Sequence, residues 1–214
     1  MTANNPALRH LLDAIAVPGV LLGHRIIANG DEFALLPEEF SGFATSVDKV
    51  RRASGAARIV ARDLLSRFGH HNRAIVKSSS GVPVWPNGIV GSLAHDAEVA
   101  IAAIAERHNY SSLGVDVEPA EALDPDLLDL VATKAELLQI HLDPCRGRLL
   151  FGVKEAVFKA VYPLEGIFLD HHDVEVNFGS ETAAVRDGRT VRFRYGIDRH
   201  IVVLAFIPAP SAVA

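Results

Sequence analysis

Hydrophobic periodicity divides the chain into alternating stretches of helix and strand. Apolar residues recur at helical spacing in several segments, each of which is predicted to form a helix with one buried face. The predicted helices cover residues 6–15, 46–68, 124–142 and 149–162. Shorter apolar or alternating runs are typical of strands. The predicted strands cover residues 24–28, 99–105, 113–118, 174–178, 190–196 and 200–207.

Turn and capping residues mark the ends of several elements. Ser46 is predicted to cap the second helix and Gly69 to stop it. Asp124 and Pro125 are predicted to open the third helix, as its cap and its first residue. Residues 69–98 contain clusters of serine, glycine and proline, so they are predicted to form a loop of the kind that often binds ligands.

Two pairs of strands are predicted to be neighbours. The strands at residues 99–105 and 113–118 flank a polar turn at 106–112, which predicts a β-hairpin. The last two strands are separated by a tight turn at Asp198 and Arg199, as in a β-meander.

Acidic residues occur at spacings that can bring them together. In the strand at 113–118, Asp116 and Glu118 lie on one face, opposite the apolar valines. In the helix at 149–162, Glu155 and Lys159 are one turn apart and share a face. If these faces meet, the clustered carboxylates need a cation, and oxygen ligands suit Mg²⁺. Because Mg²⁺ commonly completes its shell with substrate phosphates, the pattern predicts a phosphate-bearing substrate.

Composition and net charge narrow the class of protein. The 214 residues are 49% hydrophobic and 22% charged, as in soluble globular proteins, and suffice for one large domain or two packed halves. The single Cys145 excludes an intrachain disulfide. The apolar stretch at 11–23 is too short and too interrupted for a signal peptide or membrane span. We therefore expect a cytoplasmic protein with no membrane partner.

The charges are unevenly distributed along the chain. Residues 49–77 are mainly basic, whereas residues 116–143 are mainly acidic. A basic half facing an acidic half suits a polyanion held by arginines at one end and by a metal at the other. The simpler alternative is that most of these charges lie on solvated helix faces. The net charge of −5 argues against a nucleic-acid partner.

Three segments together resemble the motifs of the 4′-phosphopantetheinyl transferases. They are GVPVWPNGIVGSLAH at residues 81–95, GVDVE at 114–118 and FGVKEAVFKAVYP at 151–163. The resemblance runs from about residue 49 to residue 162 and is closer to the branch of enterobactin synthase component D and the surfactin-type enzymes. It implies an α+β fold of two similar α/β halves with pseudo-twofold symmetry and the active site between them. The halves would cover residues 1–110 and 111–214.

The resemblance also implies a reaction. The enzyme would transfer the 4′-phosphopantetheine group of coenzyme A to a serine of an apo acyl or peptidyl carrier protein, with Mg²⁺ as cofactor and 3′,5′-ADP as the second product. The carrier stays open between fatty-acid, polyketide and nonribosomal-peptide systems, including siderophore synthetases. A duplicated chain that holds a complete site need not oligomerise, so we expect a monomer.

The resemblance assigns roles to individual residues. Asp116, Glu118 and Glu155 would bind the metal. Glu155 would accept the serine proton, directly or through a water, and Lys159 would pair with the α-phosphate. The residues expected to bind coenzyme A are Arg51, Arg58, Lys77, Ser92, His95 and Lys159. One departure is Gly152, which stands where the family often has serine and is expected to touch no ligand.

Other functions use some of the same residues. A metal-dependent phosphodiesterase or nuclease would need the carboxylates and Lys159, but the acidic net charge argues against it. A non-catalytic binder of coenzyme A or carrier proteins has no need of a base. A hydrolase built on Ser92 and His95 lacks the flanking glycines of a nucleophile elbow. The pair at 171–172 is interpreted as structural or surface histidines rather than metal ligands.

Overall fold

A computed structural model describes residues 5–140 and 143–210. The helices are α1 (Pro6–Ile15), α2 (Pro37–Phe40), α3 (Asp48–Ser66), α4 (Pro125–Val131), α5 (Lys134–Ile140) and α6 (Pro144–Glu165). The strands are β1 (Val20–Ile26), β2 (Ile89–His95), β3 (Val99–Glu106), β4 (Tyr110–Pro119), β5 (Val174–Asn177), β6 (Thr182–Val185), β7 (Thr190–Ile197) and β8 (His200–Pro208). Short 3₁₀ helices lie at Asp31–Ala34, Ser41–Phe43 and His171–Asp173. This mixed architecture confirms the predicted α+β class.

The strands form two antiparallel sheets, each covered by a long helix. The first sheet has the order β1-β3-β2 and the second β4-β8-β7-β6-β5. Helix α3 packs on the first sheet and α6 on the second. Apolar side chains of both sheets, among them Val90, Ile101, Val115 and Leu204, share one buried cluster. The two sheet-and-helix layers are therefore joined by a common core.

The predicted hairpin of residues 99–105 and 113–118 is wrong. Strand β3 lies at the centre of the first sheet, where β1 and β2 occupy both of its edges. Strand β4 pairs with β8 instead, with Asp116 opposite Val203. The polar turn between β3 and β4 therefore carries the chain from one sheet to the other.

The predicted helix at 124–142 is also wrong in its extent, because two helices form there. Ala132 is extended (φ −91°, ψ 135°) and ends α4. Thr133 then starts α5: its N–H donates to Glu136 Oε2 (2.8 Å), and its hydroxyl accepts from the Glu136 N–H (3.3 Å). The Asp124 cap is confirmed. Residues 141–142 lie outside the described residues.

Other predicted boundaries shift by smaller amounts. Ser46 does not cap α3, which begins after Val47 without a side-chain cap. Gly69, with φ 78°, adopts the left-handed conformation just beyond the end of the helix, as predicted. Residues 69–98 are not entirely loop, because β2 lies within them, and the short β6 was not predicted. The turn between β7 and β8 at Asp198 and Arg199 is confirmed.

One glycine sets the distance between β4 and α6. A Cβ atom on Gly114 would lie 1.8 Å from the backbone oxygen of Ala156, so no larger residue fits without a shift of the helix. The acidic end of β4 is thereby held directly under α6.

Each half contains a buried glutamate that the sequence analysis missed. Glu39 and Glu136 are each the third residue of a short helix, and each accepts the backbone N–H at the helix cap. Each also pairs with a cation of the long helix: Glu39 with Arg62 (2.9 Å) and Glu136 with Lys154 (2.8 Å). The repeated arrangement supports two similar halves. Among the helices of the described residues, none is long and apolar enough to span a membrane.

Candidate active site

A cleft of about 450 Å³ opens between the two halves. The first half contributes Ser54, Ala57, Arg58, Lys77, Ser80, Gly81, Val82, Pro83, Gly91, Ser92, Leu93 and His95. The second half contributes Phe158, Lys159, Tyr162, Pro163 and Phe168 from α6 and the loop after it. The predicted ligand-binding residues Arg58, Lys77, Ser92, His95 and Lys159 therefore share one cleft.

The carboxylate of Asp116 faces α6 at the base of this region. Its Oδ1 accepts a 2.6 Å hydrogen bond from Lys159 Nζ, which also donates to the Val115 carbonyl (3.2 Å). The other oxygen, Oδ2, is buried and has no hydrogen-bond partner in the described part of the chain. Burial raises the pKa of Asp116, while Lys159 opposes that rise.

Glu118 lies beside Asp116 on the same strand, as the alternation predicted. Arg148, near the start of α6, donates to Glu118 Oε2 from Nη1 (3.2 Å). Burial and the charge of Asp116 nevertheless raise the pKa of Glu118 to about 7. Two carboxylates in one partly buried region thus disfavour each other's ionisation unless a cation is added.

Glu155 comes from α6 and has a different neighbour. His171 Nε2 lies 3.4 Å from Glu155 Oε1, and its ring stacks on Phe151 with 5.7 Å between centroids. The His171 carbonyl accepts a hydrogen bond from Lys154 Nζ (2.9 Å), and this contact holds the backbone that carries the imidazole. Contact with His171 lowers the pKa of Glu155 and keeps it ionised near neutral pH. His171 therefore lies beside the site, in contact with Glu155 and Phe151.

Asp116 and Glu118 pair with Lys159 and Arg148, and Glu155 lies beside His171, so the three carboxylates do not gather around one point. Within residues 5–140 and 143–210, no three His, Cys, Asp or Glu side chains converge closely enough to hold a metal ion. The unpartnered Asp116 Oδ2 nonetheless has the chemistry of a metal ligand, since hard divalent ions bind carboxylate oxygens. The residues present thus fit a hard divalent ion such as Mg²⁺.

Gly152 lies closer to this site than predicted. A Cβ atom at Gly152 would lie 3.5 Å from Asp116 Oδ2 and 3.8 Å from Glu118 Cγ. A side chain at this position would be in ordinary van der Waals contact with both carboxylate side chains, because the turn of α6 that carries Gly152 packs on the acidic end of β4. Its lack of a side chain leaves the two carboxylates room.

Arg58 is the most deeply buried cation of the cleft, with 2% of its surface exposed. It donates from Nε to the Ile75 carbonyl (2.9 Å) and from Nη1 to the Ser54 carbonyl (3.2 Å). Its Nη2 is buried and has no partner within the described residues. Burial lowers the pKa of Arg58 to about 10, which leaves it protonated at neutral pH. One guanidinium nitrogen of this cleft residue is therefore left without a partner inside the protein.

The outer arginine of the predicted set lies elsewhere. Arg51 does not line the cleft; its guanidinium donates to the Ser46 carbonyl and to Asp48. Arg62 shares the helix face of Arg58 but is taken up by Glu39 and the Ala34 carbonyl (2.6 Å). Helical spacing places these arginines on one side of α3, but each has different hydrogen-bond partners in the folded protein.

Ser92 and His95 are on strand β2, not in one turn of a loop. The Ser92 hydroxyl oxygen accepts from the Val115 N–H (3.0 Å), which links the two sheets and leaves the hydroxyl proton to donate. His95 is exposed at the end of the strand. Desolvation of its ring, followed by the charge of Lys159, lowers the pKa of His95. The two side chains are thus in the cleft but do not form a nucleophile–base pair.

The fold and the cleft define a class of protein: two α/β halves with a cation-lined cleft between them and a buried Asp116 paired with the cleft residue Lys159. Comparison with known proteins agrees. The family model described as the 4′-phosphopantetheinyl transferase N-terminal domain matches residues 37–105. The model described as the 4′-phosphopantetheinyl transferase superfamily matches residues 112–202.

Curated relatives carry the same name. The 4′-phosphopantetheinyl transferase Npt of Nocardia iowensis is 36% identical over 71% of this chain and 70% of its own length. The transferase PptT of Mycobacterium tuberculosis is 32% identical, over 80% of this chain and 85% of its own. Enterobactin synthase component D of Salmonella typhimurium is 34% identical over 36% of this chain and 34% of its own. The chain belongs to the 4′-phosphopantetheinyl transferase superfamily and is an enzyme of that class.

Proposed function

We propose that this chain transfers 4′-phosphopantetheine from coenzyme A to a serine hydroxyl of an apo acyl or peptidyl carrier protein and releases 3′,5′-ADP. The observation that carries the proposal is the meeting of two kinds of group at Lys159. This ammonium lines the cleft with Arg58 and Lys77, and it also pairs with Asp116 at the acidic end of β4. A diphosphate in the cleft would therefore lie between the cationic side chains of the cleft and the carboxylates of β4.

The anionic end of coenzyme A suits the first half of the cleft. Arg58 supplies its free Nη2 and Lys77 its ammonium, while Ser92 and His95 supply neutral donors. Arg51 lies outside the cleft wall, and it would bind a phosphate by giving up its ion pair with Asp48. These donors are supplied by both α3 and β2, so they surround the ligand from two sides.

The acidic residues would hold a divalent ion next to the diphosphate. Asp116, Glu118 and Glu155 are the proposed ligands, and the unpartnered Asp116 Oδ2 supports this. When bound, Mg²⁺ supplies neutralisation of the diphosphate and of the charge that develops on the departing 3′,5′-ADP. The cations now paired with these carboxylates, Lys159 and Arg148, stay close enough to balance their charge.

Glu155 and Lys159 are the proposed catalytic residues. The ionised Glu155 is the base that accepts the serine proton, and His171 keeps its carboxylate charged. Lys159 stabilises negative charge at the α-phosphate as a point charge. Both come from α6, so a single rigid helix positions the base and the cation.

Mass spectrometry of apo carrier proteins incubated with coenzyme A and Mg²⁺ tests the proposal. Acyl carrier proteins of fatty-acid and polyketide synthases and a peptidyl carrier protein are the probes. A mass gain of one phosphopantetheine group on at least one carrier supports it, together with dependence on Mg²⁺. Coenzyme A binding with no mass change on any carrier would indicate a non-catalytic binder. Because one chain holds all the proposed site residues, we also propose that the monomer is active.

A further inference from the structure

A buried aromatic ring lies behind the cations of the cleft. Phe43 ends the 3₁₀ helix Ser41–Phe43 and is only 1% exposed. Lys77 Nζ lies 4.1 Å from the centre of its ring, and the guanidinium carbon of Arg58 lies 4.7 Å from the same centre. Both distances are within the range of a cation–π interaction. Two cleft cations therefore contact one ring.

Phe43 is buried, but it stands apart from the main clusters of packed apolar side chains. Among the described residues, the four clusters of buried hydrophobic side chains do not include Phe43. Its polar neighbours are the two cations, and Lys77 forms no salt bridge in the described part of the chain. Phe43 is therefore a fully buried side chain whose ring also contacts two positive charges, which indicates a role toward those charges.

The aromatic ring can hold two neighbouring cations without blocking their hydrogen-bond donors, which a carboxylate could not do. Partial desolvation lowers the pKa of Lys77, and repulsion from the nearby charge of Arg58 lowers it further. Glu39 Oε1 lies 3.8 Å from Arg58 Nε and offsets part of this repulsion, but a carboxylate in direct contact with both cations would occupy their N–H donors and compete with a phosphate. The face of an aromatic ring attracts cations without accepting their hydrogen bonds.

We infer that Phe43 is a positioning residue for the phosphate-binding cations: its ring holds Lys77 and Arg58 at the cleft wall and leaves their unused donors to the phosphates of coenzyme A. The inference rests on the proposed function, because it takes those phosphates as the ligand. Phe43 itself touches no substrate.

Fluorination separates the electrostatics of the ring from its shape. Phe43→Leu would mix loss of the ring with a packing defect, so the sharper variant carries a trifluorinated phenylalanine at position 43, which weakens the negative ring face. We expect its affinity for coenzyme A, measured by calorimetry, to fall by about 5- to 30-fold, because the contact of the ring with Arg58 is buried and its contact with the exposed Lys77 adds a smaller part. In a Lys77→Met background the same fluorination should cost clearly less.

The matched control is the same fluorinated residue at Phe193. That ring is also fully buried, and its aromatic neighbours are Phe178 and Tyr195 in the second half. Unchanged affinity on fluorination at Phe43, or an equal loss at Phe193, would overturn the inference while leaving the proposed function intact. Failure of the wild-type protein to bind coenzyme A would overturn both.

Discussion

The ammonium of Lys159 lies 2.6 Å from Asp116 Oδ1, and this contact joins α6 to β4 at the point where the cleft ends. Lys159 lines the cleft together with Arg58 and Lys77, whereas Asp116 is buried and has one unpartnered oxygen. Changes to either partner should therefore affect the chemistry more than the fold.

Asp116→Asn is expected to lower carrier-protein modification by about 100-fold or more, as loss of a preorganised charge at a phosphoryl-transfer site does. The fold should survive, because removal of a buried charge also removes its desolvation cost. Asp129→Asn, on the exposed side of α4, is the control. Rates are measured by mass spectrometry and folding by circular dichroism. A normal rate for Asp116→Asn would remove this residue from the site.

Arg58→Lys should weaken coenzyme A more than Arg51→Ala does, because only Arg58 lines the cleft and offers a buried free donor. Calorimetry with coenzyme A and 3′-dephospho-coenzyme A measures both effects. If Arg51 reads the 3′-phosphate from outside the wall, Arg51→Ala will weaken coenzyme A more than the dephospho form. Equal losses for the two ligands would show that it does not.

The stability of the metal-free protein should depend on the ionisation of Glu118. Its pKa is raised from 4.5 to about 7 by burial and by Asp116, so the folded state binds this proton more tightly than the unfolded chain. The resulting stabilisation is fully present below pH 4.5 and is lost as the pH rises through about 7. In chelator, the melting temperature should therefore fall between about pH 5 and about pH 8 more steeply than that of Glu118→Gln.

Added Mg²⁺ should reverse this trend. A cation beside Asp116 and Glu118 favours their ionised forms, so the gain in melting temperature on adding Mg²⁺ should be larger at about pH 8 than at about pH 5. Glu118→Gln should show a smaller gain at the higher pH. A gain that is independent of pH and of this substitution would place the metal elsewhere.

Lys154→Met is expected to destabilise the fold by about 3–5 kcal/mol, because it leaves the buried Glu136 without its cation. Adding Glu136→Gln should recover part of the loss. Urea unfolding measures both, and Lys134→Met on the exposed face of α5 is the control. A cost for Lys154→Met no larger than that of the control would show that the pair is dispensable.

The site residues that could be predicted from the sequence are those related by local periodicity. Strand alternation placed Asp116 and Glu118 side by side, and helical spacing placed Glu155 and Lys159 on one turn. The partners that complete the site are distant in sequence: Arg148 for Glu118, and Phe43 for the two cleft cations. The local sequence pattern around Arg148 and Phe43 does not indicate these contacts.

Strand pairing is a second feature that local periodicity could predict only in part. Alternation identified β3 and β4 as strands, yet it could not say that β3 was already flanked on both edges and that β4 would pair with β8. The amino-acid sequence by itself determined the elements, the three motifs and the faces that carry the charged groups, because these depend on neighbours within a turn or a strand. Only the tertiary structure decided which faces meet and which charges are buried together, because burial and pairing depend on residues far apart along the chain.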